Sequence, residues 1–525
     1  MSVTKINVSK KFFNKFIFNN YIRYNKFSNL TQKNYLPTNR PTTNSELSAS
    51  QLSIKNIDNF RDLGIRESLC KALRQNYNIT KPTPCQQKLI PPILSGNDVL
   101  IRDLTGSGKT FGIVLALLSK TRTVSKTLSR KVSSSTSPII TNLLVVPSRE
   151  LAFQIELWIH SLFRDTNLPM KSIIQVAVKT VREIEEEQLL NLRKSPPLLL
   201  VGTAKRLLEL VENHGLKFHG LNTLALDEAD HLIKLPGKYA NIKKIINREI
   251  HPKPTELLAR HILSELNNDN NETSRSEMVY YRNKPQVIVS SATLNRTLRY
   301  YFKDNQLAPN PIFIDMSQGN YSPPTISHHC LTITSNNIRN LATSISANEE
   351  ERIQDFEEDD DRMVDSVVGT IELEQQMIQT GIIFVNHKIN VPNLVKKFRK
   401  YGIPAKELSS SYIPTINERG YSYNSLSTIE TDLNDFVTKP TFSPNTTIYV
   451  AQEFTSRGID IPNISHVFIL GVPSSAVEYL HMSGRTGRMG RDGKVISFIK
   501  DGQKKVMMNY ITFLDLKLNN YEHVE

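Results

Sequence analysis

Thr105-Gly106-Ser107-Gly108-Lys109-Thr110 is a glycine-rich turn ending in Gly-Lys-Thr. Such a run exposes backbone N–H groups at a helix N-terminus and sends its lysine to the β and γ phosphates of a nucleotide, which makes one half of an ATP site. Asp227-Glu228-Ala229-Asp230 follows the apolar run Leu224-Ala225-Leu226. That pairing reads as a buried strand delivering one carboxylate to Mg²⁺ and another to the attacking water. Ser291-Ala292-Thr293 comes next, and Gly484-Arg485-Thr486-Gly487-Arg488 stands so far downstream that its arginines reach the same site only from a second domain. Each string occurs by chance elsewhere, and Asp-Glu-Ala-Asp alone is more often a solvated helix end. Chance does not place all four in the order that one mechanism needs.

The surrounding elements must bring these residues to one rim. Leu143-Leu144-Val145-Val146, Leu198 to Val201, Leu224 to Leu226 and Val287-Ile288-Val289 are short apolar runs separated by helical patterns, the signature of a parallel sheet covered on both faces. Ligands of such sheets bind at the carboxyl ends of the strands, which puts Pro147, Asp227 and Ser291 together. The pattern repeats with Ile382 to Val385, Thr447 to Val450, Val467 to Leu470 and Lys494 to Phe498. The expected fold is α/β, two tandem parallel-sheet domains with a cleft between them, over residues 51–318 and 319–525 after a leader and linker, 1–50.

The net charge of +14 is unevenly spread: no acidic residue precedes Glu46, while eight lysines and arginines do. Phe13, Phe16, Ile17, Tyr24 and Phe27 share one side of a helical wheel, with Lys11, Lys15 and Lys26 opposite. This basic, hydroxyl-rich start matches a mitochondrial transit peptide, and hence a matrix location; a basic RNA-binding arm has the same composition. Residues 37–50 read as a linker. Three cysteines, Cys70, Cys85 and Cys330, without a Cys-x-x-Cys, argue against a disulfide framework or a zinc site and predict free thiols. No apolar run is long enough to cross a bilayer. Three stretches, 121–137, 266–277 and the acidic 348–361, interrupt the plan as inserts.

In order and wording the four motifs resemble those of the DEAD-box RNA helicases, over about residues 55 to 510, and the basic leader brings the fungal mitochondrial members closest in character. The resemblance implies two RecA-like domains, ATP and Mg²⁺ as cofactors, RNA as partner, and a monomer. It assigns nucleotide contacts to Gln86, to the phosphate loop Asp103, Leu104, Thr105, Gly106, Ser107, Gly108, Lys109 and Thr110, and to Gly458 and Asp460. Thr110 and Asp227 hold the metal, and Lys109, Asp227, Glu228, Arg485 and Arg488 carry catalysis. Ser291, Thr293 and His481 couple the halves, and Pro147, Arg149, Thr203, Arg206 and Asn386 face RNA. The implied function is RNA-stimulated ATP hydrolysis that remodels RNA duplexes or ribonucleoproteins, with mitochondrial RNA and large ribosomal subunit assembly as its setting. An ATP-gated RNA clamp with slow turnover is the alternative. The departures are Asn78-Ile79 for a Gly-Phe pair, Gln452-Glu453 for Thr-Asp and Met482 for an arginine. Asp103 stands where small residues are usual, its carboxylate either repelling phosphate or turned to solvent or Arg102.

Overall fold

Seven strands form the first sheet: β1 (Val99–Arg102), β2 (Asn142–Val146), β3 (Ile174–Ala177), β4 (Leu199–Thr203), β5 (Thr223–Leu226), β6 (Gln286–Ser291) and β7 (Ile312–Asp315), in the order β3-β4-β2-β5-β6-β1-β7 with every pairing parallel. This computed structural model describes residues 59–120, 140–218, 220–236, 241–272, 284–317, 321–334, 337–341, 361–408, 414–417, 420–423, 446–453, 461, 463–488 and 491–524. The leader, the linker, residues 121–137 and most of the acidic stretch lie outside them.

Alternation along the strands explains why the sheet is buried twice. Leu144, Val146, Val201 and Ile288 pack on one face against Leu73, Leu89, Ile113 and Ile155, while Leu143, Val145, Leu200 and Val289 pack on the other against Leu207, Leu232 and Phe302. Both faces are apolar, so each strand reads as a continuous run. The helices that matter for the site are α1 (Glu67–Tyr77), α2 (Pro84–Leu94), α3 (Lys109–Ser119), α4 (Arg149–Leu162), α5 (Arg182–Lys194), α6 (Ala204–His214) and the short α7 (Ala229–Leu232). A helix runs from Pro254 to Glu272 and takes in the first residues of the expected insert 266–277, the rest of which lies outside the described residues.

The second sheet contains β8 (Ile326–Ile333), β9 (Ile338–Asn340), β10 (Thr380–Val385), β11 (Ala405–Glu407), β14 (Thr447–Gln452), β15 (Ile464–Leu470) and β16 (Gly493–Lys500). Its order is β11-β14-β10-β15-β16-β8-β9, parallel except for the β8–β9 edge. A separate antiparallel hairpin, β12 (Pro414–Asn417) and β13 (Gly420–Tyr423), belongs to neither sheet. Here too alternate residues fill two cores, Ile383, Val385 and Phe468 on one side and Ile382, Phe384 and Val467 on the other. A helix, α8 (Ala476–Ser483), follows β15 and ends at the arginine-bearing turn. Both sheets lie within one compact unit, residues 57–525. The three cysteines are buried and free, and no helix among the described residues is long and apolar enough to cross a membrane.

Candidate active site

The phosphate loop joins β1 to α3, and its two glycines are there for the backbone. Gly106 and Gly108 hold φ of 79° and 90°, left-handed values that cost a side-chain-bearing residue of order 1 kcal/mol or more. Gly108 caps α3, so the positive end of that helix and its unpaired N–H groups face the loop. The buried Lys109 ammonium donates to the backbone carbonyls of Asp103, at 2.8 Å, and Leu104. Asp103 corrects an expectation: it turns neither to solvent nor to Arg102. Its carboxylate is buried and accepts the Leu104 N–H at 2.7 Å, while Arg102 is held by Asp315. The extra charge therefore closes the turn from inside.

Thr83 and Gln86 form a capping box at the start of α2: the Thr83 hydroxyl accepts the Gln86 N–H, and Gln86 Oε1 accepts the Thr83 N–H at 3.0 Å. The same two side chains grip the phosphate loop. The Thr83 hydroxyl donates to the Ser107 carbonyl at 2.9 Å, and Gln86 Nε2 donates to the Gly108 carbonyl at 3.2 Å. One N–H and one lone pair of the Gln86 amide remain for a base edge. Upstream, Asn78 takes the left-handed C-cap of α1 at φ 53°, the conformation for which asparagine is the usual stand-in for glycine. Ile79 packs against the first core.

At the end of β5 Asp227 is buried between two hydroxyls. Thr110 Oγ1 donates to its Oδ2 at 2.5 Å, and Ser290 Oγ donates to Oδ1. Burial, and after it the charge of Glu228, pushes the Asp227 carboxyl above the ordinary carboxylate range, with Ser290, Thr110 and Lys109 pulling the other way. Burial makes the charge of Asp227 costly, a cost that a cation would offset, and the hydroxyl and carboxylate oxygens of Thr110 and Asp227 are the hard donors that Mg²⁺ takes. Glu228 sits in the left-handed region at φ 49°, an outlier for a residue with a Cβ. Sequence reading passed over Ser290; the doubled serine before Ala292 was its signal.

Asp230, a turn further on, links the halves. The Thr293 hydroxyl donates to its Oδ2 at 2.6 Å, and Ser291 Oγ accepts the Thr293 N–H at 3.0 Å, shaping the turn. From the second domain, His481 Nε2 lies 3.6 Å from the same Oδ2. Ser291, Thr293 and His481 thus meet through Asp230, which the sequence reading named only as part of its motif. Four residues on, Arg485 Nε donates to the His481 carbonyl and Arg488 Nε to the Gly484 carbonyl. Arg488 lies across the phosphate loop: its Cγ is 3.1 Å from where a Cβ on Gly106 would stand. Met482 is part of the second core, where an arginine would bury a charge. Gln452 Nε2 reaches the His387 and Ile389 carbonyls, both at 3.2 Å, and Glu453 accepts the Ser474 N–H. Gly458 and Asp460 lie outside the described residues.

The residues expected to face RNA divide. Ser148 caps α4, accepting the Leu151 N–H at 3.2 Å, which leaves Pro147 partly exposed and Arg149 exposed beside Glu150. Thr203 ends β4 and Asn386 follows β10, its Oδ1 accepting the Lys388 N–H. Arg206 does not face RNA. Its side chain is 2% exposed and pairs with Glu185 at 3.3 Å and Glu209 at 3.0 Å, with a further bond to the Glu185 carbonyl. The guanidinium ties α6 to α5, and the neighbouring Lys205 is the exposed cation there.

A phosphate loop on one sheet, carboxylates beside it and arginines supplied from another sheet are the site architecture of P-loop proteins whose nucleotide site is shared by two domains. Two family models match the chain, DEAD/DEAH box helicase over residues 83–300 and helicase conserved C-terminal domain over residues 362–490, together about two thirds of its length. The chain belongs to the DEAD-box RNA helicases of superfamily 2. ATP-dependent RNA helicase MAK5 of Saccharomyces cerevisiae is 25% identical over 466 residues, 86% of this chain and 55% of that protein. SrmB of Escherichia coli is 26% identical over 446 residues, 85% of this chain and 79% of that one. The chain spans about half the length of the MAK5 proteins it matches. Among solved structures, DEAD-box helicase Mss116 bound to ssRNA and UDP-BeF has a TM-score of 0.59 at 22% identity, covering 88% of this chain and 79% of that one. S. cerevisiae Dbp5 bound to RNA and ADP BeF3 has 0.56 at 20%, covering 88% and 95%. Both likenesses show the fold, two RecA-like domains in tandem.

Proposed function

We propose that the chain is an RNA-stimulated ATPase that binds single-stranded RNA across its two domains and remodels RNA duplexes or ribonucleoproteins. The observation that carries this is the contact across the cleft: His481 at Asp230 and Arg488 over Gly106 bring the second domain to the acidic motif and the phosphate loop of the first. In this reading Lys109 and the N–H groups of α3 hold the β and γ phosphates, and Gln86 offers its remaining donor and acceptor to adenine. Thr110 and Asp227 would hold Mg²⁺, which when bound would neutralise charge on the phosphates. Glu228 orients the attacking water, and Arg485 and Arg488 stabilise the charge that develops on the γ-phosphate. Pro147, Arg149, Thr203, Lys205 and Asn386 contact the RNA backbone, which positions a strand without reading its sequence. The test is ATP turnover with and without RNA. Lys109→Ala abolishes the stimulated rate, and Glu228→Gln retains ATP and RNA while turnover stops. A Glu228→Gln protein turning over at the wild-type rate contradicts the assignment.

The setting we propose is the mitochondrial matrix, with ribosomal RNA in large-subunit assembly as the target; the acid-free, basic amphipathic leader supports it. Residues 1–50 fused to a reporter carry it into mitochondria, and a cytosolic reporter refutes this. The clamp reading draws on Met482 and on Gln452-Glu453, which depart from the usual pattern. Tight ATP-dependent RNA retention with slow turnover favours it.

A further inference from the structure

Gly484 is a glycine for a reason that lies in the other domain. Its φ of −72° and ψ of 9° are open to any residue, so its own backbone does not demand glycine. A Cβ built there stands 1.7 Å from Thr105 Oγ1 and 2.7 Å from Thr105 Cβ, against 3.1 Å from the Leu480 carbonyl within its own helix. The prohibitive neighbour is therefore the phosphate-loop threonine across the cleft. Thr105 Oγ1 is itself buried without a hydrogen-bond partner among the described residues, so what it contributes at this contact is volume. The complementary contact lies one residue along the loop, where Arg488 Cγ rests against the bare Cα of Gly106. A side chain from each domain thus sits in a gap left by a glycine of the other.

We propose that Gly484 and Thr105 form a steric gauge that sets how closely the second domain seats Arg485 and Arg488 on the phosphate loop, making Gly484 a positioning residue for hydrolysis. The inference rests on the ATPase reading above. A methyl at Gly484 holds the domains apart by roughly the missing van der Waals distance, and a misplacement of about 1 Å in a catalytic group costs up to about a hundredfold in rate. ATP bound by the first domain alone does not feel it.

The test is a double-mutant cycle on the full chain, Gly484→Ala and Thr105→Gly, read by RNA-stimulated kcat, by ATP affinity, and by energy transfer between dyes placed one on each domain with a non-hydrolysable ATP analogue and poly(U) RNA. Gly484→Ala is expected to lower kcat about tenfold to a hundredfold, to leave ATP affinity within about twofold, and to lower the transfer efficiency. In the Thr105→Gly background the same alanine is expected to cost less than about threefold and to restore the transfer efficiency. An equal loss in both backgrounds, including one caused by misfolding of the second domain, overturns the gauge, as does a Gly484→Ala protein with wild-type kcat and transfer. A wild-type chain without RNA-stimulated turnover defeats the ATPase reading instead, and energy transfer still decides the gauge.

Discussion

Asp227 holds a charge in a place that burial makes unfavourable, and the consequence is a dependence of stability on pH. Its carboxyl is raised above the ordinary value of 3.8 by burial first and Glu228 second, so the folded state binds the proton more tightly than the unfolded chain. Ionised Asp227 therefore costs stability. That cost is absent at pH below the ordinary carboxylate value, grows as pH rises toward the raised folded value and is complete above it. Asp227→Asn is expected to abolish hydrolysis yet melt higher at pH 7, with the advantage shrinking in acid. Thermal melts across pH check this, and a mutant that melts lower at pH 7 contradicts it. Arg206 gives the opposite lesson. The family resemblance put it at RNA, but which way a side chain on α6 points depends on Glu185, on a helix earlier in the chain. Arg206→Ala removes a buried guanidinium from Glu185 and Glu209, which keep Lys179 as partner, and is expected to cost about 1.5–3 kcal/mol in urea unfolding. A loss of RNA affinity with unchanged stability restores the RNA role.

Among elements, most strands with neighbours on both sides were readable, β1 and β8 excepted, and the edge strands were not. The apolar runs named from sequence fall on β2, β4, β5 and β6 and on β10, β14, β15 and β16, all with neighbours on both sides. β3 and β7 are edge strands of four residues, and β8 carries His328 and His329 in mid-run, which breaks the apolar pattern even though both histidines are buried. Burial lowers the His328 ring to about 4, so it sits neutral between Ser322 and Tyr479. The start of α2 was legible as a motif but not as a mechanical part. Thr83 satisfies two backbones at once, its own helix and the phosphate loop. Thr83→Ala is expected to cost about 0.5–2 kcal/mol of stability and to weaken ATP binding about tenfold or less through the loosened Ser107 carbonyl. Calorimetric titration with ATP measures the second effect; an unchanged affinity means the loop holds its shape without Thr83.

Across the whole molecule, motif order foretold that two distant parts of the chain share a site, because each motif supplies a group that the others lack. What the order does not contain is the fit between them. Asp230 as the meeting point of Thr293 and His481, and the glycines that let Arg488 and Thr105 interleave, depend on two separately folded surfaces and have no local pattern in either. The central claim is that one ATP site is built from both domains, and the direct measurement is RNA-stimulated kcat and ATP affinity of the full chain carrying Arg485→Ala and Arg488→Ala together. Arginines that stabilise transition-state charge contribute on the order of 10³ or more in rate. The expected result is a fall in kcat of about that size with ATP affinity within about tenfold of wild type, since Lys109, Gln86 and the α3 N-terminus remain. Retention of more than about half the wild-type kcat, a difference well under about 1 kcal/mol, contradicts the shared site.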